Sequence, residues 1–272
     1  KDFIRKDQQE QELQDILENQ IFSNTKKILS GKIITVFSAC GGCGATTVAL
    51  NIANEISNVD KHVLALDLDQ YYNGMANYLK VSSHGSIAEI IEKNKLIDTQ
   101  LITSSASVYS PKLKVLQFSN ADKNAFNTYH DLNQINEIIT ACKHGFDYTI
   151  IDAPRLDFDI AEQLIKSSSY VLLVFELNVK DLKLAKAIIN RFRFSGKSES
   201  SIIAIANRYK RFGSNVPLAD VKKLLKTQVY KIRYSKFKIV NCINRGTLLA
   251  CHHPHSKVRN DYLKIIKGLN LR

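Results

Sequence analysis

The chain has 272 residues, 44% of them hydrophobic, which suits one large α/β domain with a buried core. Its 38 basic against 26 acidic residues give a net charge of +12, a balance that favours an anionic partner: nucleic acid, a lipid surface or an acidic protein. No apolar run reaches the length of a bilayer span, which excludes a transmembrane segment, and five sparse cysteines argue for a reducing compartment.

The sequence opens on Lys1 and its only methionine is Met75, so it reads as a piece of a longer parent with an upstream domain. Residues 1–30 are polar. Leu13, Ile16, Leu17 and Ile21 recur at helical spacing there and predict an amphipathic linker or arm. From residue 31 to 272 a single nucleotide-binding domain is expected, in which β-like runs alternate with helical patterns. Strands are predicted over 33–37, 62–66, 113–118, 146–152, 170–175, 202–206 and 229–233. Helices are predicted over 46–57, 73–79, 86–93, 129–142, 160–165, 181–194 and 218–226, while 103–111 and 195–201 read as loops. Tyr262, Leu263, Ile265, Ile266 and Leu269 mark a last amphipathic helix over 260–272. It either closes the domain, the simpler reading, or reaches a membrane. Continuous apolar strands between helices imply an α/β fold with a doubly wound, mostly parallel sheet covered on both faces.

The stretch Ser38-Ala39-Cys40-Gly41-Gly42-Cys43-Gly44-Ala45-Thr46-Thr47 stands between the first strand and the first helix. Glycines there let the backbone curl so that successive N–H groups point at an anion, and the helix start adds its positive end. The threonine hydroxyls suit a metal ion or a phosphate oxygen. Where the phosphate-loop pattern has lysine, however, this chain has Ala45. Asp67-Leu68-Asp69 ends the second strand and Asp152 ends the strand over 146–152. In a parallel sheet these three features share the edge where ligands bind. A cradle, a hydroxyl and carboxylates are what a magnesium nucleotide needs, with one carboxylate to orient a water. The alternative is that the aspartates only cap loops.

These motifs resemble the ParA/MinD superfamily of deviant Walker A ATPases. Residues 39–53 are similar to its K-G-G-x-G-K-T-T loop and following helix. Val63–Gln70 resembles the D-x-D-x-Q strand end, and Phe146–Pro154 resembles the Walker B strand. Ala206-Asn207-Arg208 is similar to the base-reading asparagine segment, and 244–248 to a late N-x-G-x-P segment without its proline. Within the superfamily the chain looks like the CpaE/TadZ branch, which localises and assembles Flp/Tad-type pili. The absent lysine at Ala45, the helical stretch over 81–98 and the polar start all suit that branch, whose members carry a receiver-like domain upstream.

The resemblance implies ATP or ADP with Mg2+ as ligands. Gly41, Gly42, Cys43, Gly44 and Ala45 would offer backbone donors to the phosphates, and Thr47 would contact one of them. Thr46, Asp67 and Asp152 would hold the metal, partly through water, and Asp69 would orient the attacking water. Asn207, Arg208 and Tyr234 would frame the base. It also implies a homodimer, pilus-assembly partners at the inner face of the membrane, and a cytoplasmic, membrane-associated or polar address. The family's signature lysine is Cys40 here and the phosphate-loop lysine is Ala45, so ATP binding with slow or absent hydrolysis is expected.

Three rival readings come from the same residues. Cys40-Gly41-Gly42-Cys43 has the C-x-x-C spacing of redox and metal sites, and Cys251-His252-His253-Pro254-His255 is a denser metal candidate. Basic residues from Lys180 to Lys238 make the later half suitable for the DNA of a partition-type ATPase, or for anionic lipid.

Overall fold

The computed structural model describes residues 31–69, 72, 74–82, 84–93, 96–118, 132–153, 158–210 and 216–271. The arm predicted over 1–30, and Gln70, Asn73, Tyr129 and Pro154 of the predicted elements, lie outside these residues.

One eight-stranded sheet organises the described chain. Its strands are β1 (Lys32–Ser38), β2 (Val63–Asp67), β3 (Ser107–Ser110), β4 (Leu113–Leu116), β5 (Tyr148–Ala153), β6 (Tyr170–Glu176), β7 (Ile202–Tyr209) and β8 (Gln228–Arg233). They lie in the order β3-β4-β2-β5-β1-β6-β7-β8, parallel throughout except for the β3–β4 pair at one edge. The helices are α1 (Ala45–Ser57), α2 (Gly74–Leu79), α3 (Ile87–Lys93), α4 (Thr99–Ser105), α5 (Leu132–Gly145), α6 (Phe158–Ser167), α7 (Val179–Phe194), α8 (Leu218–Leu225), α9 (Lys236–Arg245), α10 (Leu249–His252) and α11 (Lys257–Gly268).

Alternation along the strands sorts the core into two layers. Ile33 and Phe37 of β1, with Val171, Leu173 and Phe175 of β6, face a layer that includes α3 to α8. Ile34 and Val36, with Leu172 and Val174, face a second layer built from α1, α2 and α9 to α11. Because both faces are covered, the central strands are apolar at successive positions, the pattern that identifies them in the sequence. Tyr262, Ile265 and Leu269 are buried in the second layer, so α11 closes that face.

Two regions depart from the sequence reading. The stretch over 103–111 is not a loop: Asp98 caps α4 by accepting from Leu101 N at 2.8 Å, and β3 then runs antiparallel along the edge. Its serines look loop-like, yet Ser107 is buried and its hydroxyl donates to the Ser82 carbonyl at 2.8 Å. The second region is 236–252, left without an element in the sequence reading, which forms α9 and α10.

β5 and β6 are consecutive in sequence but sit on opposite sides of β1. The chain therefore opens a crevice beyond the carboxyl end of β1, where ligands of doubly wound sheets bind.

Candidate functional site

The turn after β1 is shaped by glycines with positive φ, +77° at Gly42 and +92° at Gly44. At Gly44 a Cβ would lie 2.6 Å from Asn207 Nδ2, so this position needs glycine for space as well as for backbone angle. The same Asn207 amide donates to the Cys43 carbonyl at 2.8 Å. Asn207, at the carboxyl end of β7, thus braces the loop that precedes α1. Ala45 is buried and opens that helix.

Beside the loop, parallel register sets Asp67 of β2 directly opposite Asp152 of β5, and Val36 of β1 opposite Asp152. Both carboxylates are buried. Asp152 accepts from Thr46 Oγ1 at 2.5 Å, and Asp67 accepts from the N–H groups of Asp69 and Met75, each at 2.9 Å. Burial pushes both carboxyls above the usual carboxylate range. The neighbouring Asp67 charge pushes Asp152 further, and the Asp69 charge does the same to Asp67. A cation between two buried carboxylates would offset both the burial and the mutual repulsion.

A magnesium ion fits this donor set. It takes oxygen ligands and keeps several waters, so a hydroxyl and carboxylates suffice once phosphate supplies the rest. Among the described residues no three histidine, cysteine or acidic side chains gather into a metal cage. The Cys251–His255 segment therefore does not converge: its Cys251 is exposed and part of it forms α10.

The third predicted acid, Asp69, accepts from Tyr72 N at 3.1 Å at the start of the segment leading to α2. Asp67 holds the first turn of α2 through Met75 N, and beyond the last turn Lys80 Nζ donates to the Asn244 carbonyl of α9 at 2.7 Å.

A cavity of about 410 Å³ opens on the other side of Asn207. It brings together Gly44, Thr47, Asn207, Arg208 and Tyr234, so the loop and the three predicted base-framing residues share one space. Tyr234 is partly exposed, with Lys210 Nζ 4.8 Å from its ring centroid. Arg208 has a left-handed backbone, φ +51°, and its guanidinium meets Glu176 Oε1 at 2.5 Å. The cavity's apolar wall is Ile232, Ile239, Ile243, Val258 and Tyr262, with Arg233 and Lys236 among its polar lining residues. Ile239, Ile243, Val258 and Tyr262 come from α9 and α11 and Ile232 from the end of β8, late elements with no motif of their own, so the sequence reading assigned none of them to a site.

It also missed Asp181. Cys40, which stands at the signature-lysine position, donates its thiol to Asp181 Oδ2 at 3.0 Å across 141 residues of sequence. Burial, then the hydrogen bond to Asp181, pushes the Cys40 thiol up to about 12. Asn178-x-x-Asp181 is a helix-start pattern, and Asn178 Oδ1 does accept from Asp181 N at 2.8 Å. That signal gives the helix and leaves the thiol contact unseen.

With this geometry in view, comparison with known proteins gives one answer at several levels. The family profile described as AAA domain (AAA_31) matches residues 31–205. The chain is 24% identical to the septum site-determining protein MinD of Helicobacter pylori over 227 residues, 79% of this chain and 82% of that one. It is 21% identical to the sporulation initiation inhibitor protein Soj of Bacillus subtilis, covering 87% and 97% of the two chains. Among solved structures, a ParA family ATPase from Chlorobium tepidum superposes with a TM-score of 0.77 at 19% identity, covering 88% and 99%. MinD of Pyrococcus horikoshii, solved with Mg-ADP, superposes with a TM-score of 0.75 at 18% identity, covering 88% and 96%. The chain belongs to this AAA domain family, as a P-loop ATPase-fold member of the ParA/MinD superfamily.

Proposed function

We propose that this chain binds ATP or ADP with Mg2+, hydrolyses ATP slowly or not at all, and works as a nucleotide-held localisation and assembly factor of a Flp/Tad-type pilus. The observation that carries the nucleotide reading is the buried Asp67–Asp152 pair bonded to Thr46, beside a glycine-shaped loop and a base-sized cavity. Thr46, Asp67 and Asp152 would hold the metal, Gly41 to Ala45 and Thr47 the phosphates, and Asn207, Arg208 and Tyr234 the base. Asp69 would orient water in whatever hydrolysis remains. Mg2+ bound there would neutralise phosphate charge. The relative solved with Mg-ADP supports that ligand.

Slow turnover is inferred from Cys40 and Ala45. Each charge-assisted bond absent from the phosphates removes about 1.5–3 kcal/mol of stabilisation, and phosphoryl transfer depends on such charge. The test is equilibrium binding of ATP and ADP with and without Mg2+, with turnover measured on the same sample. Mg2+-dependent binding with negligible turnover is expected. Turnover matching lysine-bearing relatives and abolished by Asp69→Ala would overturn the slow-engine reading. The pilus role and the homodimer rest on resemblance. They are tested by pilus loss on deletion of the gene and by sedimentation with and without ATP.

A second reading, a DNA-binding partition ATPase, is favoured by one surface. Lys180, Lys183 and Lys186 of α7 are exposed, as are Lys222 and Lys223 of α8 and Lys226 at its end, and the two helices pack together on one side of the sheet. The family includes Soj-like and ParA-like relatives. DNA binding that weakens steeply with salt and requires ATP would select this reading; no DNA binding at low salt would remove it.

A further inference from the structure

Cys40 and Cys43 have a second property that the loss of a lysine does not explain. Gly41 and Gly42 form a hydrogen-bonded turn between them, and such a turn holds its first and fourth Cα atoms within about 7 Å. Disulfides span Cα separations of about 4.4–6.8 Å. The carboxylate of Asp181 accepts from Cys40 Sγ at 3.0 Å. Cys43 is 1% exposed, with its Sγ donating to the Val174 carbonyl at 3.3 Å, whereas Cys40 is partly open to solvent. A Cβ added at Gly41 or Gly42 would meet nothing within 4 Å, so the outer side of the turn is unobstructed.

We propose that Cys40 and Cys43 form a reversible disulfide by exchange with a low-molecular-weight disulfide of the glutathione class, and that the oxidised loop binds phosphate less well. The exposed thiol of Cys40 reacts first. Cys40 loses its thiol proton to water as its Sγ attacks one sulfur of the small disulfide; the S–S bond breaks, and one thiolate leaves and is protonated from water. Cys43 Sγ then attacks Cys40 Sγ, losing its own proton to solvent and expelling the second thiolate. Two protein thiols are oxidised to one disulfide while one small disulfide is reduced to two thiols. Burial holds both cysteines in the thiol form, and the Asp181 carboxylate adds to this at Cys40, so the exchange is slow. The bridge removes the Cys40–Asp181 hydrogen bond and redirects the Gly41-Gly42 amides that would face a phosphate. This last consequence rests on the nucleotide reading above; the disulfide itself does not.

The experiment uses the full chain carrying Cys251→Ser, which removes the exposed cysteine outside the loop. The protein is treated with oxidised glutathione, free thiols are alkylated, and the tryptic peptide 33–61, which holds Cys40 and Cys43 and no other cysteine, is weighed. The expected peptide has lost two hydrogens and carries no alkyl group. Cys43→Ser is expected to stop at glutathione attached to Cys40, and Cys40→Ser to stay alkylated at Cys43. Asp181→Asn is expected to speed formation about tenfold without changing the product, because no carboxylate then holds Cys40 as the thiol. A fully alkylated peptide, or Cys40→Ser reacting as fast as its parent, overturns the proposal. Mg-ATP affinity is expected to fall about tenfold on oxidation and to return with reductant. Equal affinity in both redox states overturns the phosphate clause. A disulfide that forms in a protein binding nucleotide in neither state overturns the nucleotide reading and leaves the thiol chemistry standing.

Discussion

At the loop end of the cleft, where phosphates are proposed, the polar groups are backbone amides, a threonine hydroxyl and carboxylates, with Cys40 and Ala45 where the motif that the loop resembles has lysine. At the base end, Arg208, Arg233 and Lys236 line a cavity whose wall is Ile232, Ile239, Ile243, Val258 and Tyr262. The loop thus carries no cation at 40 or 45, where charge would stabilise transfer, while the cavity end carries three that would hold a ligand. Geometry and charge separate here. The loop keeps its shape because Gly44 and Asn207 fix the backbone, while the groups that would drive catalysis are side chains and can change freely.

The contrast breaks most severely at Asp152. Asp152→Asn removes a carboxylate from the metal position and is expected to cut Mg2+-dependent nucleotide affinity by more than about a hundredfold, read by calorimetry. The same change relieves repulsion with buried Asp67, so the ligand-free protein is expected to melt no lower than the parent. Loss of binding together with a much lower melting temperature would mean the carboxylate is structural.

Next in size is Gly44→Ala, which joins both ends. Its Cβ would meet Asn207 Nδ2 and the residue would be held at φ +92°. A loss of about 3 kcal/mol in urea denaturation is expected, and a loss below about 1 kcal/mol would show the brace to be dispensable. Ala45→Lys restores one cation and is expected to raise ATP affinity about tenfold or more. Unchanged affinity would mean the cradle itself is misaligned, and the charge argument would fail.

A smaller effect follows from pH. Asp67 and Asp152 hold protons in the ligand-free fold that the unfolded chain releases near pH 4. Their folded pKa values are raised, so the stability they contribute is present below the ordinary carboxylate pKa and is lost as pH climbs through the raised range. The slope is at most about 1.4 kcal/mol per pH unit for each proton. Mg2+ binding displaces those protons and so tightens as pH rises. Melting curves in chelator across pH, with Asp152→Asn showing a flatter slope, check the sign. Smallest of all is Arg208→Ala at the base end. Its bond to Glu176 is partly exposed, so less than about 1 kcal/mol of stability should change.

Much of the site was legible because its residues sit at strand carboxyl ends, where apolar runs stop abruptly. Asp67, Asp69, Asp152 and Asn207 could all be placed that way. The fold's core was legible for the same reason, since strands buried on both faces carry no alternation to confuse them. What stayed hidden depends on partners distant in sequence. Asp181 has meaning only beside Cys40, and Tyr262 reads as a core aromatic until α9 folds over it. The segment 103–111 misled because serines cap and pair as readily as they form loops.

In the six-residue helix α2 the Asp67 carboxylate and the Gln117 side chain hold the first turn, and Lys80, just past its last, grips the end of α9. The carboxylate proposed to meet a cation and the helix that supplies part of the cavity wall are thus joined through α2. The two ends of the cleft differ in chemistry, yet a short lever ties their positions together.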